Sequence, residues 1–430
     1  MSAAPRPAPS TPDSATSGRN PAERVERIQE ALREDGLAGW LLFDFHGSNP
    51  IARSVLGMAA APNAAKTTRR WFYLVPARGT PQKLVHRIEP RALDHLPGET
   101  AVYLTWEELD RELGVLVRRA VSGHSNVGGY APAIAMEYSP EARLPYVSKV
   151  DAGTVELVRA AGAQVVSSAD LAQRFDGVLD PEARRDHRRT ALALDGIMTA
   201  AFQRARESVQ SGGRIPLTEV GLQQFILERF AAAGLVSSDP PTVAVNAHSG
   251  DPHFSTTSDT DVPIRPGDFL LIDAWARRNV PGSIYADYTQ VASLGATVPE
   301  RQRAVFSVVR DARDAAIDRV RQALAEGRTI RGCDVDDAAR EVVRAGGYGD
   351  RFLHRLGHSI GTEVHANGVH LDNLETRDER RLLEGTLVSV EPGVYLEDFG
   401  IRSEVNLLID GGEAVVTPES VQRELPALLA

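Results

Sequence analysis

The stretch Pro266-Gly267-Asp268-Phe269-Leu270-Leu271-Ile272-Asp273 decides how the chain is read. A Pro-Gly-Asp turn launches four apolar residues, and the run ends on an acid. A short apolar run bounded by turn residues reads as a buried strand. A carboxylate at its end must reach water or find a partner, because burying a lone charge is costly. Past a loop containing Arg, Asn, Pro and Gly, Tyr285-Ala286-Asp287-Tyr288-Thr289 starts a second strand. A hairpin of these strands would bring Asp273 and Asp287 face to face, and close carboxylates repel unless a proton or cation lies between them.

Six of the eleven histidines lie beyond residue 240, in the same region. His354-Arg355-Leu356-Gly357-His358 runs on through Gly361 to His365, and its glycines allow the sharp turns that would aim several imidazoles into one pocket. Val388-Ser389-Val390-Glu391-Pro392-Gly393 is another strand ending in an acid. Gly400-Ile401-Arg402-Ser403-Glu404-Val405 leads into apolar Leu407-Leu408-Ile409. Taken singly, an acid beside a strand is most often a solvated strand end, and a lone His a hydrogen-bonded structural residue. Four acids beside strands together with a glycine-spaced His pair fit that description poorly, and a metal site is the sharper reading. Oxygen ligands with one nitrogen suit Mn²⁺, Co²⁺, Zn²⁺ or Fe²⁺ rather than a sulfur-rich structural zinc.

Upstream the texture differs. Val25, Ile28 and Leu32 recur at helical spacing over Pro21–Asp35, and the buried-strand run Gly39–Asp44 follows. Strand-like runs at Trp71–Val75, Lys83–His86 and Ala101–Leu104, with helical patterns such as Thr154–Ala161 among them, describe an α/β domain. From Pro181 the chain turns charged and helical over 182–209, breaks at Gly212-Gly213, and resumes as a helix at Thr218–Ala233. Strands are expected at Thr242–Val245, Asp268–Asp273, Asp287–Leu294, 386–396 and 402–409, with helices near 299–326 and 334–345. No repeat of 20–50 residues is present. The expected organisation is a disordered tail at 1–20, an α/β domain at 21–180 and a second domain at 181–430.

The 430 residues suit two or three domains at about 150 residues each, and 42% hydrophobic with 25% charged residues is ordinary globular composition. A net charge of -10 argues against a nucleic-acid partner. No run approaches the roughly 20 apolar residues of a membrane span. The first twenty residues lack the apolar core of a signal peptide, so a cytoplasmic location is expected. The single cysteine, Cys333, excludes an internal disulfide and has neither a Cys partner nor an adjacent His, so it is read as a bystander.

At the five segments above, the sequence resembles the pita-bread metallopeptidases, the family of aminopeptidase P, prolidase and methionine aminopeptidase. The matching segments keep the family's order over about 182–415, and residues 20–178 resemble more weakly the N-terminal domain of the creatinase/prolidase branch, which methionine aminopeptidases usually lack. The resemblance implies an α+β protein: a C-terminal pita-bread fold, with a curved antiparallel sheet covered by helices, behind an N-terminal α/β creatinase-like domain. It implies two divalent metal ions, manganese first and cobalt, zinc or iron as alternatives. Asp273 would chelate one and His358 with Glu391 the other, while Asp287 and Glu404 bridge them. Glu391 would join the proton transfer, and His365 would stabilise the tetrahedral intermediate or hold substrate. His253 matches a substrate-contacting histidine, with His248 a poorer fit. His354 would touch substrate or support a ligand, Arg402 would pair with a ligand carboxylate or substrate, and Thr289 would hold Asp287. Trp275, Gln290, Arg355 and Ala366 depart from the usual pattern and put the shape of the substrate pocket in question.

The implied activity is a peptidase on short proline-containing peptides. An Xaa-Pro dipeptidase (prolidase) comes first and an Xaa-Pro aminopeptidase second, in a cytoplasmic homodimer with neither a membrane nor a nucleic-acid partner. Two other classes remain. One is a metal-free creatinase-like hydrolase, the other a catalytically inactive binding protein of the same fold, and the complete ligand set speaks against both.

Overall fold

A computed structural model describes residues 20–58, 67–122, 132–211 and 216–430. Except for Asn20, the expected tail lies outside these residues, as does Gly212-Gly213. Asn20 caps the first helix, Pro21–Glu34, by accepting the Ala22 N–H, with Pro21 at a position where its missing donor costs nothing.

The strand Gly39–Asp44 is central in a mixed six-stranded sheet. From edge to edge the order is Glu99–Tyr103, Gln82–His86, Trp71–Pro76, Gly39–Asp44, Ala133–Met136 and Gln164–Ser167. Helices cover both faces. Trp40 and Leu42 pack with Val25, Ile28 and Leu32, while Leu41 and Phe43 pack with Leu109, Leu113 and Val117 of the helix Trp106–Val121. Burial on both faces is why this strand reads as a continuous apolar run.

The long helix Pro181–Ser211 begins the second half. Its central strand, Phe269–Arg278, pairs antiparallel with Ala286–Ser293 on one edge and with Thr242–Val245 and Leu235–Val236 on the other. It runs five residues past the expected end, because Arg277 and Arg278 pair with the two-residue strand Leu235–Val236, too short to leave a sequence signal. Alternation sorts its side chains. Leu270 and Ile272 pack with the helices Pro181–Ser211 and Glu219–Ala232, whereas Phe269 and Leu271 join the cluster under Glu300–Ala325 and Gly332–Ala345. Continuing that period carries Asp273 and Trp275 onto the second face.

The runs expected at 386–396 and 402–409 are each broken in two. Leu387–Val390 and Gly393–Tyr395 are separated at Glu391-Pro392, and Gly400–Arg402 and Val405–Asp410 at Ser403-Glu404. Pro392 has no N–H for a ladder, so the strand ends at the acid. Leu387–Val390, Val405–Asp410 and Glu413–Thr417 form a three-stranded antiparallel sheet, and Gly393–Tyr395 pairs with Gly400–Arg402. Each break releases one glutamate toward the face that carries Asp273. No helix among the described residues is long and apolar enough to cross a membrane.

Candidate metal centre

The hairpin register places Asp273 opposite Thr289 and Asp287 opposite Trp275. The two aspartates therefore share a face but sit diagonally, not directly across as the sequence suggested, because the loop between the strands fixes a pairing offset by two residues. Asn406 ties the neighbouring sheet to this hairpin. It donates to the Asp287 carbonyl and accepts the Asp287 N–H, and the Glu404 N–H donates to the Thr289 carbonyl. Ser389 fixes the histidine loop, accepting the His358 N–H at 2.9 Å and donating to Glu391 Oε1 at 3.0 Å.

A cavity of about 380 Å³ opens over this face. Asp273, Asp287, His358, Glu391 and Glu404 all line it, as do His253, His354, His365 and Arg402. Thr289, the remaining predicted site residue, lies buried behind the wall, where it donates to Glu404 Oε2 at 2.8 Å and accepts from Arg402 Nε. It holds Glu404 rather than Asp287, since its single proton is spent there. Arg402 spans the site, donating also to Asp273 Oδ2 and to the Tyr395 hydroxyl. His253 is exposed at the mouth, and His365 packs edge-on against His358 at 4.3 Å. Of the departures from the family pattern, Trp275 and Arg355 line the cavity. Gln290 lies on the opposite face of its strand from Asp287, and neither it nor Ala366 reaches the wall.

The electrostatics do not close with protein groups alone. Asp273 Oδ1, Asp287 Oδ1 and Glu404 Oε1 are buried without a hydrogen-bond partner. Burial, followed by the neighbouring acids, pushes Asp287 and Glu404 well above the usual carboxylate range. Burial also raises Asp273, against the pull of Arg402. Glu391 is the exception: burial opposes its charge, but His358, His354, Arg402 and Arg355 hold it below the ordinary value. Burial depresses His358, and burial takes His354 and His365 down to about 4, so these rings are neutral at neutral pH.

The His358 ring makes the imbalance concrete. Its Nδ1 sits 3.2 Å from the Ser359 carbonyl and must carry the proton. The bare lone pair of Nε2 then faces Asp287 Oδ2 at 3.5 Å and Glu391 Oε1 at 3.4 Å. A lone pair aimed at two carboxylates is repulsive unless a cation joins them. Ligand atoms of Asp287, His358 and Glu404 all lie within 4.8 Å of one another, the one such group among the described residues. Asp273 and Glu391 flank it. The donor set thus fits a divalent metal: hard oxygens, one imidazole, and orphaned atoms for an ion to satisfy.

Sequence reasoning missed Tyr395, whose hydroxyl donates to His354 Nε2 at 2.7 Å and accepts from Arg402. It also passed over the Glu219–His248 pair, in which His248 stacks on the cavity residue Phe254 at 4.3 Å. Only the tertiary fold brings such partners together. A larger recess, about 760 Å³, lies on the first sheet among Phe43, Phe45, Arg69, His86 and Trp106, away from this chemistry.

The sequence profile of metallopeptidase family M24 matches residues 185–411, more than half of the chain. The chain belongs to metallopeptidase family M24. That family depends on a dinuclear metal centre, and the acid-lined cavity is where this M24 chain can hold one. An Xaa-Pro dipeptidase of Pyrococcus furiosus is 33% identical over 170 residues, covering 39% of this chain and 44% of that protein. The chain spans about half the length of the curated relatives it matches. Solved structures extend the likeness in fold over nearly the whole molecule. Dipeptidase PepE from Mycobacterium ulcerans superposes with a TM-score of 0.65 at 22% identity, covering 95% of this chain and 98% of that one. An X-Pro aminopeptidase from Thermotoga maritima gives 0.55 at 20% identity, covering 93% and 99%. The pita-bread architecture preceded by an N-terminal domain is thereby shared.

Proposed function

We propose that this M24 chain is a dinuclear metal-dependent peptidase that hydrolyses Xaa-Pro bonds, with Xaa-Pro dipeptides as its substrates. The observation that carries it is the convergence of three buried, partnerless carboxylate oxygens and one bare imidazole lone pair on a single cavity. The P. furiosus likeness supports the substrate class. Asp273, Asp287, His358, Glu391 and Glu404 would hold the ions, manganese first among the candidates. When bound, the metals lower the pKa of a water and polarise the scissile carbonyl. Glu391, kept ionised by the Arg402 and Arg355 guanidinium groups, accepts a proton at a carboxylate oxygen. His365, neutral at working pH, donates an N–H to the developing oxyanion. Arg402 fixes Asp273, Thr289 fixes Glu404, and Tyr395 locks His354 through its Nε2. Trp275 and Phe254 give the cavity apolar walls, while His253 meets substrate at the mouth. A proline ring brings no N–H and a fixed φ, which suits such a wall. We place the catalytic part at 181–430 and the N-terminal part at 21–180, in a cytoplasmic homodimer.

The test is metal removal and restoration. Protein stripped with a chelator and reloaded with Mn²⁺, Co²⁺ or Zn²⁺ is assayed on an Xaa-Pro dipeptide and an Xaa-Pro-Yaa tripeptide. Metal-restored cleavage of the dipeptide alone is the expected result. Cleavage of the tripeptide with the dipeptide inert would make it an aminopeptidase, and no cleavage of either with any metal would sink the peptidase reading.

A further inference from the structure

Two strands share one edge of Phe269–Arg278 and leave a gap between them. Leu235–Val236 pairs with Arg278 and Arg277, and Thr242–Val245 pairs with Asp273 through Leu270. Five residues, 237–241, therefore cross a stretch that Ala274, Trp275 and Ala276 span on the partner strand. Pro240 and Pro241 have no N–H for a ladder, so the surplus is thrown out as a loop with Asp239 at its middle. Asp239 and Trp275 both line the cavity over the candidate metal centre.

Trp275 stands directly across from Asp287 in the hairpin. Its indole N–H donates to Ser238 Oγ at 3.4 Å, which joins the ring to the loop one residue before Asp239. Of the six carboxylates on the cavity wall, Asp273, Asp287, Glu391 and Glu404 are candidate ligands, and Glu375 accepts the Arg355 backbone N–H. Asp239 is exposed and pairs with no cation or donor among the described residues. Arg277, two residues beyond Trp275, is turned elsewhere: it donates to the Val280 carbonyl and lies over the Tyr285 ring at 5.7 Å. An indole beside an unanswered carboxylate suits a cation on a flexible stem, whose methylenes lie on the ring while the head reaches the acid.

We propose that Trp275 and Asp239 form a subsite for a cationic side chain, so that this chain acts preferentially on Lys-Pro and Arg-Pro peptides. This rests on the peptidase reading above and deepens it. Proline carries no such side chain, so the cation must belong to the residue before it. Phe254, which also lines the cavity, is left for the proline ring. Trp275 departs from the family pattern, so the subsite belongs to this chain rather than to the family. A merely apolar Trp275 wall would order substrates the opposite way, because an ammonium loses hydration there and gains nothing.

The metal-loaded wild type is assayed on Lys-Pro and on norleucyl-proline, which share the scissile bond and the side-chain stem and differ in the terminal ammonium. Lys-Pro is expected to lead in kcat/KM by about fivefold to thirtyfold, mostly through KM, and the lead should shrink in high salt. Asp239→Asn should cut that ratio by about threefold to fivefold and Trp275→Leu by about threefold to tenfold, with Trp275→Phe keeping part of it. Asp239 is exposed, so Asp239→Asn carries the test should Trp275→Leu fail to fold. A wild-type ratio of one or less overturns the subsite, and so does a ratio left intact by substituting either residue in folded protein. If the wild type cleaves neither peptide, the peptidase reading falls. Calorimetric titration of metal-loaded protein with the same two peptides then decides the subsite. Tighter binding of Lys-Pro that weakens in Asp239→Asn supports it, and equal binding, no binding or binding indifferent to the substitution refutes it.

Discussion

Both halves of the molecule bury carboxylates, and one site in each treats them in opposite ways. In the N-terminal half Glu137 is fully enclosed, yet both of its oxygens are served. Oε1 accepts from Trp40 Nε1 at 2.6 Å and Ser168 Oγ at 3.0 Å, and Oε2 accepts from Asn49 Nδ2 at 2.7 Å. The catalytic half buries Asp273, Asp287 and Glu404 with one oxygen each left without a partner. The first arrangement is complete within the chain. The second is complete only when something from outside supplies positive charge. Burial alone therefore says little about function; what separates a structural acid from a ligand is whether the fold has answered it.

The largest effect expected from this contrast is at Asp287. Asp287→Asn keeps the shape and removes the charge, so metal binding and turnover should fall together, with kcat/KM down roughly 10³-fold or more. The metal-free form should not suffer, because the substitution relieves repulsion among buried acids; its thermal midpoint should stay level or rise. Metal analysis, kinetics and thermal unfolding of stripped protein check this, and retained turnover would remove Asp287 from the ligand set. Next in size is Glu137→Ala, which strands three buried donors and should cost about 3 kcal/mol of stability. Metal content and kcat of the surviving folded protein should be unchanged. A variant as stable as wild type would show that Glu137 is no more answered than Asp287.

This contrast also marks how much the sequence could tell. Gly39–Asp44 is legible to the residue because both faces are buried and nothing interrupts the apolar run. Each of the ten predicted site residues lies in or directly behind one cavity. Acids beside apolar strands and a glycine-spaced His pair are local patterns, whereas His253, Arg402 and Thr289 are assigned only through the resemblance to the family. What is illegible is register. The diagonal offset of Asp273 and Asp287 and the gift of the Thr289 proton to Glu404 depend on how strands slide past one another, and the meeting of His354 with Tyr395 on where a loop lands against a strand. Arg355 is visible in the sequence, but its hydrogen bond to the Tyr146 hydroxyl links residues 209 positions apart. The breaks at Glu391 and Glu404 fall between, since Pro392 announces the first and no residue announces the second.

The same distinction can be drawn among histidines, and there the expected effect is smallest and depends on pH. His187 is answered on both sides: its Nδ1 lies 2.8 Å from the Tyr285 carbonyl and so carries the proton, and its Nε2 accepts from Thr417 Oγ1 at 2.9 Å. Burial lowers its pKa to about 4, from an ordinary 6.5. Between those values the unfolded chain holds a proton on this ring that the folded chain does not. Stability from the neutral ring is thus full above about 6.5 and is lost as pH falls toward 4, at about 1.4 kcal/mol per pH unit. His354 and His365, held near the same value, add to the slope in metal-free protein. His187→Gln should therefore unfold with a shallower pH dependence across that window, by about one proton, whatever its stability at pH 7. Chemical denaturation of metal-free protein at several pH values measures it. An unchanged slope would mean that His187 already binds its proton in the folded state, which the hydrogen bond from Thr417 to Nε2 does not permit.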